Sequence, residues 1–537
     1  MHAHTRRAKS ILFAAFAFAC AGRVYAASSV TVTDTGDGTI NDSLCTLREA
    51  ITAANSQASF DGCVFSGSGS PTTIAFAIPG SGVQTIDVGS QLPAIAVRVV
   101  IDGLTQPGAS CAAWPPTLLI QISSPTNGQY NGFTLNPGSD GSTIRGLVIN
   151  GFNNNQGYAY NFNAAINIYA SNGNHVECNF LGTLPDGTTA AANLRGVDIN
   201  SASNNVIGSD GTAKSYVARN LISGNQYGQV DTRGNALSGN RISGNFIGTN
   251  VTGTAAMSGQ GGAEGVDISA NPGPASGNFV GWDGVGDPVL MRNVISGFTG
   301  STLGGVNMVV GAQGNVVAGN YIGTDVTGTQ PIPNFFGVEL GSNSSVYNNI
   351  IGNTGAQDAA AARNVISGNS FTGVDINSAN GTHDNAVVGN YIGIGATGAP
   401  LGNGQYGISM DYSAANTLVA RNWIAGQGTA IRFFGSGSFG GGSTASFINN
   451  SPGGNSSLPV LDSRDNCVLG GTGVLVYAQG ANVPNPNTFA NNWWGAGSGP
   501  NTAGASSADG SIATTPFLTA PAAVCDDTIF RNGFEVP

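Results

Sequence analysis

The sequence predicts an all-β protein, a parallel β-helix, and three observations carry that expectation. One module recurs as "NFLGTLPDGTTAAANLRGVDI" (179–199), "NYIGTDVTGTQPIPNFFGVEL" (320–340) and "NYIGIGATGAPLGNGQYGISM" (390–410). In each, 14 residues separate the glycine after the aliphatic residue from the glycine that opens the next triplet: Gly182–Gly196, Gly323–Gly337, Gly393–Gly407. "NFIGTNVTGTAAMSGQGGAEGVDI" (245–268) has the same form with a loop three residues longer. A second module alternates with the first: "ARNLISGN" (218–225), "MRNVISGF" (291–298), "ARNVISGN" (362–369) and "ARNWIAGQ" (420–427). Both consist of very short strands with alternate apolar residues, separated by Asn and Gly, which tolerate the left-handed backbone of tight corners. Such strands cannot make a sheet within one coil. They can if each coil stacks on the next and the aliphatics fill the interior. Leucine-rich repeats would need an LxxLxL line, which is absent, and propellers four strands per repeat and a recurring Trp-Asp mark, which here occurs once, at Trp282-Asp283.

Residues 1–26 read as a cleaved signal peptide. Arg6, Arg7 and Lys9 precede the apolar run Ile11–Ala19, too short to span a bilayer, and Val24–Ala26 offers the small residues of a cleavage site. Phe18 and Ala17 suit a lipoprotein box at Cys20 poorly, and Arg6-Arg7 lacks the apolar pair of a twin-arginine signal. Cleavage leaves 14 basic residues against 29 acidic ones, a net charge of −15, with Lys214 the last lysine. That balance disfavours nucleic acid and anionic lipid as partners, and no later segment reaches membrane-spanning length. The expected product is secreted or held at the cell surface, and monomeric.

Residues 27–70 read as an N-terminal cap. "CTLREAITAAN" (Cys45–Asn55) is an amphipathic helix whose capping box is Thr46 and Glu49. Leu44, Leu47, Ile51 and Ala54 fall on one apolar face, and Arg48 faces solvent or an acid of the first loop. The helix is expected to plug one open end of the solenoid. The coils run over 71–445, C-terminal coils and a cap over 446–520, and a tail with "IFRNGFEVP" over 521–537. Six cysteines survive cleavage, an even number that favours disulfides in an exported chain. Of the 15 pairings, Cys45–Cys63 is local and Cys467–Cys525 joins the two nearest the C-terminus, leaving Cys111–Cys178.

"DTGDGTINDSLCTLREAITAAN" (34–55), "LPAIAVRVVIDGLTQPG" (92–108), the "GNYIGTD…GT" units and "NNWWGAGSGP" (491–500) together resemble the bacterial CSLREA-motif proteins, with Thr46 where the name has Ser. The resemblance covers most of the mature chain. It implies a right-handed parallel β-helix exported from a bacterium and says almost nothing about activity.

Chemistry is sought in the column between the inward aliphatics. Two aliphatic ladders are expected, Val197/Val266/Val306/Val338/Val374/Ile408 and Ile199/Ile268/Met308/Leu340/Ile376/Met410. The residue between them faces outward, because side chains alternate along a strand. That column reads Thr134, Asn167, Asp198, Asp231, Asp267, Asn307, Glu339, Asp375, Ser409, Arg432. Stacked like charges destabilise unless raised pKa values, bound cations or local hydrogen bonds answer them. Raised values would suit acid/base chemistry, and carboxylates about 5 Å apart fall in the range of retaining glycosidases. Calcium on Asp198, Asp231 and Asp267 would suit an acidic-polysaccharide lyase, with Arg432 or Arg233 as its base. The competing reading is that an outward position prefers any soluble residue.

Other templates are poorer. The Asp-Asp, His-Gly and Arg-x-Lys set of pectinase-type hydrolases is missing from the mature chain, apart from Asp526-Asp527 in the tail, and GxSxG and HExxH do not occur. His175 and His383 read as turn residues. "DTGDGTIND" (34–42) departs from EF-hand spacing. Asn225, Asn245, Asn320, Asn369 and Asn390 are expected to stack as amide ladders. Tyr158, Tyr160, Phe162, Phe335-Phe336 and Phe433-Phe434 are aromatics that could stack on sugar rings or close a core. The expected function is binding of carbohydrate or a surface partner along the acidic face, with no cofactor required. A polysaccharide lyase or glycoside hydrolase and an adhesive spacer are the alternatives.

Overall fold

A computed structural model describes residues 27–434 and three short strands beyond them (Leu461–Asp462, Cys467–Leu469, Val476–Gln479). Within 27–434 it leaves out 40–41, 126–127, 154–162, 261–262, 301–303, 342–345, 353–362, 379–381 and 413–416. The described strands form a right-handed parallel β-helix. Three sheets of 13, 12 and 11 strands make its walls, and from Val99 onward each coil gives one strand to each wall. Every pairing between the described strands is parallel and joins one coil to the next, as in Val197↔Val230, Val230↔Val266 and Val266↔Val306.

The triplets build the wall as their alternation demands. Val197, Val266, Val306, Val338, Val374 and Ile408 are stacked in register and fully buried, with Val230 as a further rung. Ile268, Met308, Leu340, Ile376 and Met410 form the second ladder. At the corners run three asparagine ladders. Asn245, Asn320 and Asn390 belong to one, which continues through Asn179, Asn220, Asn293, Asn364 and Asn422. Asn369 stacks between Asn334 and Asn403, and Asn225 lies under Asn193. The third, Asn174 to Asn385, was not among the expected positions. Buried amides this regular are satisfied at every rung, which is what keeps them affordable in a dry interior.

The glycine spacing has two different causes. Gly323 has φ +86°, and a Cβ there would strike Ser367 O and the Asn369 amide of the next coil. Gly337 opens its triplet without positive φ; it is needed because Gly373 O and Ile366 crowd it.

Outside the second sheet lies a separate apolar cluster that the repeats did not announce. Phe180, Phe246, Tyr321 and Tyr391 project from that wall and pack with Leu221, Val251, Val294 and Val365. The "GTDVTGT" loops fold over them and stack on one another: Val251 N–H donates to Gly187 O (2.9 Å), Val326 to Gly253 O (2.8 Å) and Ala396 to Gly328 O (2.8 Å). The Cys111–Cys178 disulfide joins this layer, and Cys45–Cys63 ties the cap, both as expected; the Cys467 and Cys525 side chains lie outside the described residues. Two disulfides mark an oxidising compartment, on the extracellular or periplasmic side. Among the described residues no helix is long and apolar enough to cross a membrane.

The helix spans Leu47–Ser56 and carries the full capping box: Thr46 Oγ1 accepts from Glu49 N–H, and Glu49 accepts from Thr46 N–H. It packs on the first strand, Ser28–Val32, and on Thr72–Phe76 beside it. Leu47, Ala50, Ile51, Ala53 and Ala54 are buried, but Leu44 is 44% exposed, because it precedes the helix and does not share its face. Arg48 reaches an acid of the first loop, Asp37, at 2.8 Å.

Candidate functional site

The expected column exists rung for rung on the outer face of the third sheet. Its register runs Thr134↔Asn167↔Asp198↔Asp231↔Asp267↔Asn307↔Glu339↔Asp375↔Ser409↔Arg432. Neighbouring rungs stand about 4.8 Å apart. Outward does not mean exposed, however, and the idea of a merely soluble position is corrected here. Asp198 is fully buried, and Asn307, Glu339, Asp375 and Ser409 are buried with it. Among its acids the row opens to solvent over Asp231 and Asp267, with Glu264 beside them; these are half-buried, as are Thr134, Asn167 and Arg432 toward its ends.

Two arginines answer the first two carboxylates. Arg233 lies two residues beyond Asp231 and turns back one coil to grip Asp198 through Nε (2.7 Å) and a second nitrogen. Arg195, three residues before Asp198, instead reaches forward one coil to Asp231. Its register partner there is Gly228, and a Cβ at Gly228 would collide with Asp231 Oδ1. The missing side chain is therefore the space in which the pair forms. Burial pushes both acids up, and the guanidiniums pull them part of the way back.

Among the described residues Glu264, Asp267 and Glu339 form no such ion pair. Glu264, three residues before Asp267, was not expected from the column, and it brings a second carboxyl to the same coil. Burial raises Asp267 well above the usual carboxylate range, and repulsion from Glu264 and Asp231 raises it further. Glu264 is raised by burial and by Asp231. Hydrogen bonds from Asp267 and Asn307 and the charge of Arg195 draw Glu264 part of the way back, so Asp267 is the more strongly raised of the pair. Glu339 is pushed up to about 7, first by burial and then by Glu264. Asn307 sits between Asp267 and Glu339 and leans over Gly304, which likewise leaves room by lacking a Cβ.

Further along, the face becomes aromatic. Phe335 stacks on Phe371 (5.0 Å, 6° between planes), Phe336 meets both edge-on, and Tyr406 meets Phe371. All four are partly exposed and adjoin the strands of Glu339, Asp375 and Ser409. Arg432 lies beyond Ser409 with its guanidinium over the Tyr406 ring at 4.7 Å, so it stands with the aromatic group and not with the leading acids. Tyr158, Tyr160, Phe162 and the Phe433-Phe434 side chains lie outside the described residues.

Among the described residues no cluster of three or more His, Cys, Asp or Glu could hold a metal ion. The cations at Asp198 and Asp231, where calcium was considered, are arginines. Asp37 of "DTGDGTIND" is held by Arg48 and by Gly89 N–H. His175 stands in a strand, not a turn, and contacts Glu177 at 3.1 Å beside Lys214 and Tyr216; His383 contacts Asp384 and stacks on Tyr347.

No protein-family model matches the chain, and neither does any curated protein sequence. Solved structures do. One is the catalytic domain of a GH87 alpha-1,3-glucanase in complex with tetrasaccharides, at 13% identity and TM-score 0.43, covering 77% of this chain and 63% of that one. The periplasmic alginate epimerase AlgG matches at 12% identity and TM-score 0.25, covering 74% and 72%. PfbA, a surface adhesin of Streptococcus pneumoniae, matches at 13% and 0.28, covering 75% and 88%. The chain thus spans less than two thirds of the first of these.

Proposed function

We propose that this is an exported β-helix protein of the CSLREA type that binds a glycan lengthwise along the outer face of its third sheet. The reading is carried by one juxtaposition: a continuous column of carboxyl and amide side chains runs into a partly exposed group of Phe335, Phe336, Phe371 and Tyr406. Sugar rings offer apolar faces for aromatic stacking and hydroxyls for carboxylates, and a site of this composition meets both at once. The leader-like residues 1–26 and the two disulfides support export.

Glycoside hydrolysis is the second reading, and the split in the row favours it. Asp198 and Asp231 face arginines, while burial raises Asp267 and Glu339 with no arginine paired to them, and acids pushed apart in this way can divide the roles of carboxylate and acid. Adjacent rungs, about 4.8 Å apart, lie near the separation of retaining enzymes.

The mature chain, screened against a polysaccharide panel with and without Ca²⁺, is expected to bind at least one glycan. Reducing-end release that disappears in Asp231→Asn and Asp267→Asn supports hydrolysis, and release that survives both removes the acid row from it. A chain that binds nothing on the panel is a spacer.

A further inference from the structure

Four buried polar atoms on three consecutive coils make no hydrogen bond: Asp231 Oδ1, Asp267 Oδ1, and both Oδ1 and Nδ2 of Asn307. Asn307 is only 2% exposed, and although its amide lies near enough to Glu264 to lower that acid, neither amide atom has a bond of normal geometry. Leaving such atoms unpaired costs about 1–3 kcal/mol each, so the arrangement is built for a partner. Three of the four are acceptors. Among the described residues, no lysine or arginine pairs with Glu264, Asp267 or Glu339. The one guanidinium at the opening over Asp231, Glu264 and Asp267, among the described residues, is that of Arg195, and Asp231 already holds it; the second coil's acids are left without an ion pair, and the aromatic group continues the same face.

Resting on the glycan-binding reading, we infer that the ligand is an amino-sugar polymer with free amines, its ammonium groups seated among Asp231, Glu264, Asp267 and Asn307. An ammonium has three donors and no acceptor, which complements the orphan acceptors beside Glu264 and Asp267, the acids with no ion pair of their own among the described residues. A polyuronate would add carboxylates to a face already short of positive charge. An N-acetylated sugar brings a neutral amide and leaves the acids unanswered.

The test is calorimetry at pH 6 with three hexamers: glucosamine, N-acetylglucosamine and galacturonate. The free-amine hexamer is expected to bind at least tenfold tighter than the acetylated one, with the galacturonate bound weakest. Asp267→Asn and Glu264→Gln, near-isosteric and checked for folding by circular dichroism, should each erase most of that preference. Equal or tighter binding of the acetylated or uronic hexamer overturns the amine assignment. If that binding is still lost in Tyr406→Ala, the glycan reading survives without it. Failure of all three hexamers, when another glycan on the panel binds, also overturns only the amine assignment; failure of every glycan removes both.

Discussion

Arg195 passes over the carboxylate of its own strand, Asp198, and pairs with Asp231 one coil ahead, while Arg233 on that coil reaches back to Asp198. The crossed pairs lace two coils together outside the core. Breaking one leaves a largely buried charge alone, which costs about 3–5 kcal/mol. Arg195→Met should lower stability to urea by that order, and Arg195→Met with Asp231→Asn should recover much of it. A double variant no better than the single would show that the charge is not what Arg195 answers.

Space for the lacing comes from Gly228. Gly228→Ala would drive Asp231 off Arg195, so a loss comparable to Arg195→Met is expected. Gly428 is the control, since its added Cβ meets nothing closer than 3.7 Å and its φ is unstrained; Gly428→Ala should stay within about 0.5 kcal/mol. Paired melting curves of the two variants check this.

Glu339 makes stability fall with rising pH. Its pKa is raised from 4.5 to about 7, so the folded chain holds the proton more tightly than the unfolded one. The contribution is full below about pH 4.5 and lost as pH climbs through 7, roughly 3 kcal/mol in all. Glu339→Gln should therefore match the parent near pH 4 and exceed it at pH 8. Parallel stability–pH curves for the two proteins would refute the assignment.

The register was legible because a Gly-aliphatic triplet recurs with constant spacing, and one aligned column fixes every other. That alignment placed Asp198 to Arg432 correctly but could not show which side chains cross between coils. The position three residues earlier holds the missed signal: Ala164, Arg195, Gly228, Glu264, Gly304, with a long charged side chain followed each time by a glycine. Burial of the row was illegible for another reason, since alternation tells which face a residue takes but not what lies over that face. The outer apolar layer was hidden because Phe246 and Tyr321 read equally well as interior residues.

The cap should matter for association more than for folding. Thr46→Ala costs about 1 kcal/mol of helix capping, and Arg48→Ala frees the helix from Asp37, Ser90 O and Gln91 O. The double variant would loosen the cover over the first strand, whose outer edge is paired within the chain only through Ser29 with Ser66 and Thr33 with Cys45 O, and an uncovered edge invites pairing with another copy. Light scattering is expected to show its mass rising with concentration more steeply than the parent's. Unchanged mass would mean the strand edge is protected in another way.

The asparagine ladders also give the rod a direction. From Asn174 to Asn349 and from Asn179 to Asn390, each Nδ2 gives one proton to the asparagine of the next, C-terminal coil, and most give the other to a backbone carbonyl of the preceding coil. The sense is not interchangeable, because backbone N–H groups such as that of Asn205 donate to the same oxygens and can do nothing else. Side-chain amide dipoles, each comparable to the roughly 3.5 D of a peptide unit, thus add head to tail over the length of the solenoid. Like a bar magnet cut at any point, each segment of coils would keep an electropositive end toward the C-terminus and an electronegative end toward the cap.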